Sequence, residues 1–280
     1  MLTTQQKIAF VRIVSTPVRL INTIFYKSPI RVRRRKINWC LDLNEVIDLV
    51  IYLIGNFEPK TIRQYQQTLK SGAIVFDIGA NIGSHTLPLA KIVQPNGMVF
   101  AFEPTLYAVT KLRNNVEINP TLSKCIQVEQ ILLSDQKSSL EVHEIESSWP
   151  IKTSKITHNL HGGEAKSIAG SEVITLDTFV IKNKVNVLDL IKIDVDGNEI
   201  NILKGGIKTI KKLKPLIMFE LAPYALREKG HSGEELLQIL NELGYKIYKN
   251  PTGLQINKSN KELCLSVPEG ASINLWGVPG

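Results

Sequence analysis

The segment that most constrains the fold is residues 75–83, which read VFDIGANIG. An apolar strand at residues 73–76 runs directly into Asp77, and a helix is predicted to begin near Ser84. Three residues lie at alternate positions between them: Gly79, Asn81 and Gly83. Glycines let the backbone approach a ligand closely, and a helix N-terminus presents free N–H groups. A strand that ends in a carboxylate and turns through glycines into a helix therefore predicts a nucleotide-cofactor site.

The charge pattern of this turn indicates which cofactor it suits. A dinucleotide site reads G-x-G-x-x-G and places a pyrophosphate on the helix, whereas here a carboxylate precedes the first glycine. Asp77 would repel a pyrophosphate but could pair with the α-ammonium group of S-adenosylmethionine. The next apolar strand, residues 98–102, ends in Glu103, which could accept both ribose hydroxyls. Dehydrogenases carry a similar acid, so Asp77 is the discriminating residue.

Apolar runs and helical segments alternate along the chain, and the runs are continuous rather than alternating with polar residues. This pattern predicts an α/β fold with a mostly parallel sheet and helices on both faces. Four of these runs end in an acid, which is Asp77, Glu103, Asp194 or Glu220, and the run 126–133 is followed by Ser134 and Asp135. Because carboxylates are rarely buried without partners, a set of them at one sheet edge predicts a functional site.

Other elements are predicted from periodicity and from breaker residues. Helices are expected at residues 45–55, 61–70, 176–181, 198–212 and 233–243, and strands at residues 38–43, 139–145, 245–248 and 263–267. The polar stretch 146–170 has no clear period and contains His158, His161 and the pair Gly162–Gly163. A stretch of this length predicts a mobile lid over the acceptor.

The net charge of +8 is concentrated in residues 1–36, which hold nine basic residues and no acidic one. This segment predicts contact with an anionic partner, either a membrane surface or a substrate. Apolar residues at helical spacing in residues 8–25 could equally dock on the protein's own core. No RNA-binding signature is present, so no nucleic acid partner is expected. With no apolar run of spanning length and no signal-peptide layout, the chain is expected in the cytoplasm, with peripheral contact at the inner face of the membrane left open.

These features together resemble the FkbM family of class I S-adenosylmethionine-dependent methyltransferases. The matching segments run in family order over residues 39–43, 51–59, 75–83, 102–104, 133–135, 191–199 and 219–220. The resemblance implies a seven-stranded Rossmann-like sheet and methyl transfer, usually to a hydroxyl oxygen. A hydroxyl of a sugar, a polyketide or a lipid-linked glycan is compatible with the chain as the acceptor. The resemblance also implies a residue set around the cofactor: Asp77, Gly79, Asn81 and Gly83 near the methionine moiety, Glu103 at the ribose, and Ser134 and Asp135 near the adenine. Ser84 is a further candidate cofactor-binding residue. Asp196 departs from the family, which more often has Glu there.

Methyl transfer to a hydroxyl needs an aligned acceptor and a group that removes its proton. Asp194 is the first candidate for that catalytic role, as a base or a metal ligand, and Glu220 is the second. The alternative for Asp194 is a capping role on the helix near Asn198. His85 could also act as a base, although a helix N-terminus disfavours its protonated form. Magnesium would suit oxygen ligands, but no dedicated ligand spacing requires a metal, and none is assigned.

Two other function classes remain open from the sequence. One is a nicotinamide-dependent oxidoreductase, which Asp77 and the absent G-x-G-x-x-G pattern disfavour. The other is a non-catalytic cofactor-binding module, in which Asp194 and Glu220 would have no effect on turnover. We expect two parts, an N-terminal helical and basic extension at residues 1–60 and a cofactor-binding domain at residues 61–280. The oligomeric state is not indicated.

Overall fold

The computed structural model describes Gln6 and residues 29–135, 144–151 and 163–280. The helix predicted at residues 8–25 lies outside these residues, as do His158, His161 and Gly162. In the described part of the chain, no helix combines the length and the hydropathy that crossing a bilayer requires.

The strands of the described residues are β1 (Ile30–Arg34), β2 (Ile37–Leu41), β3 (Ile74–Ile78), β4 (Met98–Phe102), β5 (Ile126–Glu129), β6 (Ile131–Leu133), β7 (Glu144–Ser148), β8 (Glu164–Ser167), β9 (Glu172–Ile174), β10 (Leu190–Ile193), β11 (Leu216–Leu221), β12 (Tyr245–Tyr248) and β13 (Ile273–Pro279). The helices are α1 (Val46–Ile54), α2 (Pro59–Thr68), α3 (Thr86–Val93), α4 (Leu106–Glu117), α5 (Pro120–Ser123), α6 (Leu176–Lys182), α7 (Glu199–Gly205), α8 (Ile207–Leu213), α9 (Pro223–Glu228), α10 (Gly233–Glu242) and α11 (Asn260–Leu265).

Seven strands form the central sheet in the order β12-β13-β11-β10-β3-β4-β5. Neighbours from β11 to β5 are parallel, and β13 runs antiparallel to both of its neighbours. The predicted α/β class and seven-stranded, mostly parallel sheet are therefore confirmed. The chain order reverses between β3 and β10, so the crevice beyond their carboxyl ends is where such sheets bind ligands.

Both faces of the sheet are buried, which explains the continuous apolar runs. On β3, Val75 belongs to one apolar cluster and Phe76 to the cluster on the other face. Trp39 of β2 and Tyr65 of α2 join the cluster that contains Val75, so the hairpin and helices before β3 pack on the sheet. The division of the chain near residue 60 stays a prediction.

Three predicted elements differ from the observed ones, and one strand of the central sheet is not among the predicted elements. The strand predicted at residues 263–267 is wrong, because Ser259 and Glu262 form a capping box that begins helix α11 there. The seventh strand of the sheet is β13, which was not predicted. The run 126–133 divides at Gln130, since β6 leaves the central sheet and pairs with β9. The helix predicted at residues 198–212 divides at Gly206, where a Cβ atom would lie 2.5 Å from the Leu176 side chain.

The polar stretch 146–170 is more regular at its ends than its composition suggests. Strands β7 and β8 form an antiparallel pair across it, so these ends are not an irregular loop. The strand predicted at residues 139–145 overlaps with β7, which spans residues 144–148. Residues 139–143 lie outside the described part of the chain. Motion of this stretch as a lid stays a prediction.

Candidate cofactor and acceptor site

The turn from β3 to α3 is tightly packed against the end of β10. Gly79 has φ +76°, and a Cβ atom there would lie 2.0 Å from the Asp194 carbonyl oxygen. Gly83 has φ +93°, and its Cβ atom would lie 2.8 Å from the Leu112 side chain. Both positions therefore need glycine for their backbone conformation and for close packing. Asn81 also has positive φ, 48°, a conformation that Asn tolerates better than most residues.

Asp77 is fully buried beneath this turn. Its Oδ2 atom accepts a 2.6 Å hydrogen bond from the Thr86 hydroxyl. Its Oδ1 atom lies 3.2 Å from Lys192 Nζ, an ion pair without the alignment of a hydrogen bond. Asp77 does not line the cleft beyond the strands. Contact of Asp77 with the ammonium group of a cofactor stays a prediction.

Lys192 is the residue that sequence reasoning missed. Its side chain is 2% exposed and lies between Asp77 and Asp194, with its Nζ 3.5 Å from Asp194 Oδ2. Nζ also donates to the carbonyl oxygen of Gly79 at 2.9 Å. Burial lowers the pKa of Lys192, but the two carboxylates more than offset this, and the pKa lies above its ordinary value. A lysine inside an apolar strand was the available signal, since a buried charge needs a partner.

Glu103 lies at the end of β4 on the wall of the cleft. Its Oε2 atom accepts from the Asn81 backbone N–H at 2.9 Å, and its Oε1 atom accepts from the Thr105 N–H at 3.0 Å and the Thr105 hydroxyl at 2.6 Å. Burial raises the pKa of Glu103, although these hydrogen bonds oppose the shift. The Ser147 hydroxyl also donates to Oε1, at 3.4 Å. Each carboxylate oxygen offers about two lone-pair sites, so Oε2, which has one donor, keeps acceptor capacity for one ligand hydroxyl.

The cleft has a cavity volume of about 90 Å³ and opens to solvent. Five of the residues predicted for the site line it: Gly79, Asn81, Ser84, Glu103 and Asp194. The others do not: Asp77, Gly83, Ser134, Asp135 and Glu220. Ser134 is buried and donates to Asp135 at 3.2 Å, whereas the preceding apolar residues 131–133 form the wall. Contact of Ser134 and Asp135 with an adenine ring stays a prediction.

Asp194 is a partly exposed carboxylate, with 31% of its side chain accessible. The capping role considered for it is wrong, because Asn198 occupies the N-cap position of α7. Instead, the Glu199 carboxylate accepts from the backbone N–H groups of Val195 and Gly197. Glu220 does not line the cleft, and burial together with the charges of Asp194 and Asp196 raises its pKa well above the ordinary value. Of the two predicted catalytic carboxylates, Asp194 is therefore the one that lines the cleft.

His85 lies on the cleft wall and is 2% exposed. Burial lowers its pKa to about 3, and the charge of Lys192 acts in the same direction. The imidazole is therefore neutral at physiological pH. In the described part of the chain, no group of three His, Cys, Asp or Glu side chains has an arrangement that could hold a metal ion.

Burial of Glu199 gives the fold a pH dependence that can be measured. Desolvation raises the pKa of Glu199 from 4.5 to about 7, so the folded state binds more protons than the unfolded state between these values. Stability should therefore fall as the pH rises from 4.5 to 7, by up to about 3 kcal/mol from this group. Glu199→Gln should flatten that part of the profile in urea unfolding at a series of pH values. An equally steep fall of stability in Glu199→Gln would assign the pH dependence to other carboxylates.

Comparison with known proteins agrees with this geometry. The methyltransferase FkbM domain matches residues 77–247, which is more than half of the chain. The chain belongs to the FkbM methyltransferase family. The resemblance found in the sequence is thus confirmed, and the family match includes the strand ends that carry Asp77, Glu103, Asp194 and Glu220.

Individual relatives of this FkbM chain are distant. The hexuronic acid methyltransferase AglP of Haloferax volcanii is 26% identical over 164 residues, which cover 58% of this chain and 61% of that protein. The FkbM methyltransferase of Methylobacillus flagellatus is 18% identical, with a TM-score of 0.44 over 79% of this chain and 50% of that one. A putative rRNA methylase of Clostridium thermocellum is 13% identical, with a TM-score of 0.45 over 80% of this chain and 98% of that one.

Proposed function

We propose that this FkbM chain is an S-adenosylmethionine-dependent methyltransferase that methylates a hydroxyl oxygen. The observation that carries the proposal is the cleft at the reversal point of the sheet, with Glu103 on one side and Asp194 on the other. Glu103 suits the ribose of the cofactor, and Asp194 suits an acceptor hydroxyl that loses its proton. Family membership supports the same reaction class.

The cofactor's place is supported by the residues of the two strand ends. Gly79 gives the backbone room at the end of β3, Ser84 and Asn81 line the turn, and Glu103 offers acceptor oxygens. When bound, S-adenosylmethionine supplies an electrophilic methyl group on a sulfonium. The apolar wall at residues 131–133 suits a flat aromatic group such as adenine.

Asp194 is proposed as the group that accepts the proton of the acceptor hydroxyl. It is accessible from the cleft, and Lys192 fixes its position through the ion pair at 3.5 Å. Glu220 is the second candidate. Its strongly raised pKa favours the protonated form, which cannot act as a base.

The acceptor class is proposed from the relative's name and from charge. A hexuronic acid methyltransferase acts on a sugar, so we place a sugar hydroxyl first, with polyketide and lipid-linked glycan acceptors behind it. Exposed basic residues on the β1–β2 hairpin suit an anionic surface: Arg31, Arg33, Arg35 and Lys36. A cytoplasmic enzyme with peripheral membrane contact through residues 1–36 is part of the same proposal.

Transfer itself is tested with methyl-labelled S-adenosylmethionine and a panel of neutral sugars, sugar acids and hydroxylated lipids, with products identified by mass spectrometry. A methyl ether on a hydroxyl is the expected product. Methylation at nitrogen or carbon would contradict the proposal.

Glu103→Gln should weaken binding of S-adenosylhomocysteine by about 1–3 kcal/mol, because it removes a charged acceptor from the ribose hydroxyls. Calorimetric titration gives the affinity. Asp189→Asn is a matched control, since Asp189 accepts a 2.8 Å hydrogen bond from the Ile74 N–H at the opposite end of the sheet. Equal affinity in wild type and Glu103→Gln would remove Glu103 from the cofactor site.

A further inference from the structure

The end of the central sheet opposite the cofactor cleft carries a surface rich in lysine. Two surface grooves meet there at Lys212, one across the amino ends of the neighbouring parallel strands β3, β10 and β11, and one between α6 and α8. Exposed lysines and two exposed aliphatic residues line or border these grooves. The lysine face is defined by these residues: Lys70, Ile181, Lys184, Val187, Lys208, Lys211, Lys212 and Lys214.

The positive charge of the lysine face is not neutralised by ion pairs. Within the described residues, none of its lysines lies in a salt bridge. The acidic residues that line the two grooves are Asp177 and Asp189. Their carboxylates accept from backbone N–H groups, Asp177 from Lys208 and Thr209 and Asp189 from Ile74. The lysine face therefore keeps an excess of positive charge, which favours an anionic partner.

Two lysines of this face have a backbone conformation that usually belongs to glycine. Lys184 follows the C-cap of α6 with φ 53°, and Lys214 is the C-cap of α8 with φ 47°. Helices commonly end in a left-handed residue, and a side chain there carries a steric cost that glycine avoids. Lysine at two helix ends of one surface thus lowers stability, a loss that binding by the charged side chains would explain.

Exposed aliphatic side chains distinguish between the possible anionic partners. Ile181 is 74% exposed and Val187 is 59% exposed, and each lines one of the grooves. Among the described residues, no aromatic side chain lines either groove. Single-stranded nucleic acids bind through phosphate contacts and stacking on aromatic rings, so they gain little from aliphatic groups. A lipid bilayer accepts both kinds of residue, since its headgroups are charged and its acyl boundary is apolar.

We propose that the lysine face is a docking surface for an anionic phospholipid bilayer. The lysine ammonium groups bind the headgroup phosphates, and Ile181 and Val187 enter the boundary between headgroups and acyl chains. The cofactor cleft lies at the opposite ends of the same strands, so it stays open to solution. This inference goes beyond the proposed function, because the surface is separate from residues 1–36 and its binding to lipid requires no methyl transfer.

Co-sedimentation of the full-length chain with lipid vesicles tests the charged part of the lysine face. We expect binding to vesicles of phosphatidylglycerol and phosphatidylcholine in equal parts, weaker binding at high salt, and no binding to phosphatidylcholine alone. The variant Lys208→Gln/Lys211→Gln/Lys212→Gln should bind the anionic vesicles about 10²-fold more weakly, about five-fold for each lysine. The control Lys249→Gln/Lys258→Gln/Lys261→Gln changes the net charge equally at exposed lysines outside this face and should bind like wild type.

A second pair of variants tests the aliphatic part without changing any charge. Ile181→Ser should weaken binding to the anionic vesicles by about ten-fold, because it removes apolar surface from the bilayer. Leu254→Ser is the control, since Leu254 is 92% exposed and lies outside the lysine face. Thermal unfolding at the wild-type temperature shows that each variant is folded.

Three results would overturn the inference. One is no binding of the wild-type chain to the anionic vesicles. Another is a triple lysine variant that binds like wild type, which would assign lipid binding to residues 1–36. The third is wild-type binding by Ile181→Ser, the behaviour of a site that recognises charge alone, such as a nucleic acid site. Failure of the proposed function is a separate result, because it appears as absent binding of S-adenosylhomocysteine in calorimetry on the same samples without vesicles.

Discussion

Asp194→Asn should lower kcat by about 10²-fold or more, the usual effect of removing a positioned proton acceptor. The affinity for S-adenosylhomocysteine should stay close to that of wild type, because the loss belongs to the transition state. The structural reason is the accessibility of this carboxylate at the end of β10 and its fixed position beside Lys192. Single-turnover transfer of a labelled methyl group to the preferred acceptor gives the rate, and calorimetry gives the affinity.

Glu220→Gln is the matched comparison for Asp194→Asn. It removes a carboxylate at the end of the neighbouring strand, one that does not line the cleft. We expect a smaller loss of kcat in Glu220→Gln than in Asp194→Asn. A fully active Asp194→Asn enzyme would exclude Asp194 as the base, and a large loss in Glu220→Gln alone would transfer the role to Glu220.

Lys192→Met should destabilise the fold by about 3–5 kcal/mol, because it leaves Asp77 as an uncompensated buried charge. Lys192 also donates to the carbonyl oxygens of Ile78 and Gly79 at 3.3 and 2.9 Å, so the turn after β3 loses its support. Urea unfolding followed by circular dichroism measures the change. Lys246→Met is the control, since Lys246 is exposed on strand β12 of the same sheet and should change stability by about 0.5 kcal/mol or less.

The double variant Lys192→Met/Asp77→Asn tests the cause of that loss. Removing the charge of Asp77 should recover much of the stability, because a neutral amide needs no cation beside it. If the double variant is as unstable as the sum of the single variants, the ion pair is not the source, and the hydrogen bonds from Lys192 to the backbone carry the effect.

Much of the sheet could be predicted because its signals are local. The runs that became β3, β4, β10 and β11 are apolar on both faces, and each is followed or ended by an acid, which places one edge of the sheet. Strand β13 could not be read in the same way. It is a run of mixed apolar and polar residues that pairs antiparallel with β11 and β12, so only its pairing with strands distant in sequence defines it. Helix α11 was readable, since Ser259 and Glu262 carry the capping-box spacing, but its apolar residues suggested a strand.

The sequence predicts which residues belong to the site, but it does not predict which side chains they contact. Glu103 and Asp194 were placed on the correct edge, and both line the cleft. The neighbouring side chains that determine the charge state of the site residues could not be derived from spacing in the sequence. Lys192 is aligned with Asp77 by the register of β10 on β3, and Glu58 meets His85 only through the packing of α2 beside the turn. Partners that are distant in sequence are set by register and packing, neither of which a single sequence displays.

The most direct test of the central claim is a parallel calorimetric titration of the wild-type chain with S-adenosylhomocysteine and with NAD⁺. The protein should bind S-adenosylhomocysteine at one site with a Kd of about micromolar order, and it should not bind NAD⁺. Binding of NAD⁺, or no binding of S-adenosylhomocysteine, would contradict the central claim.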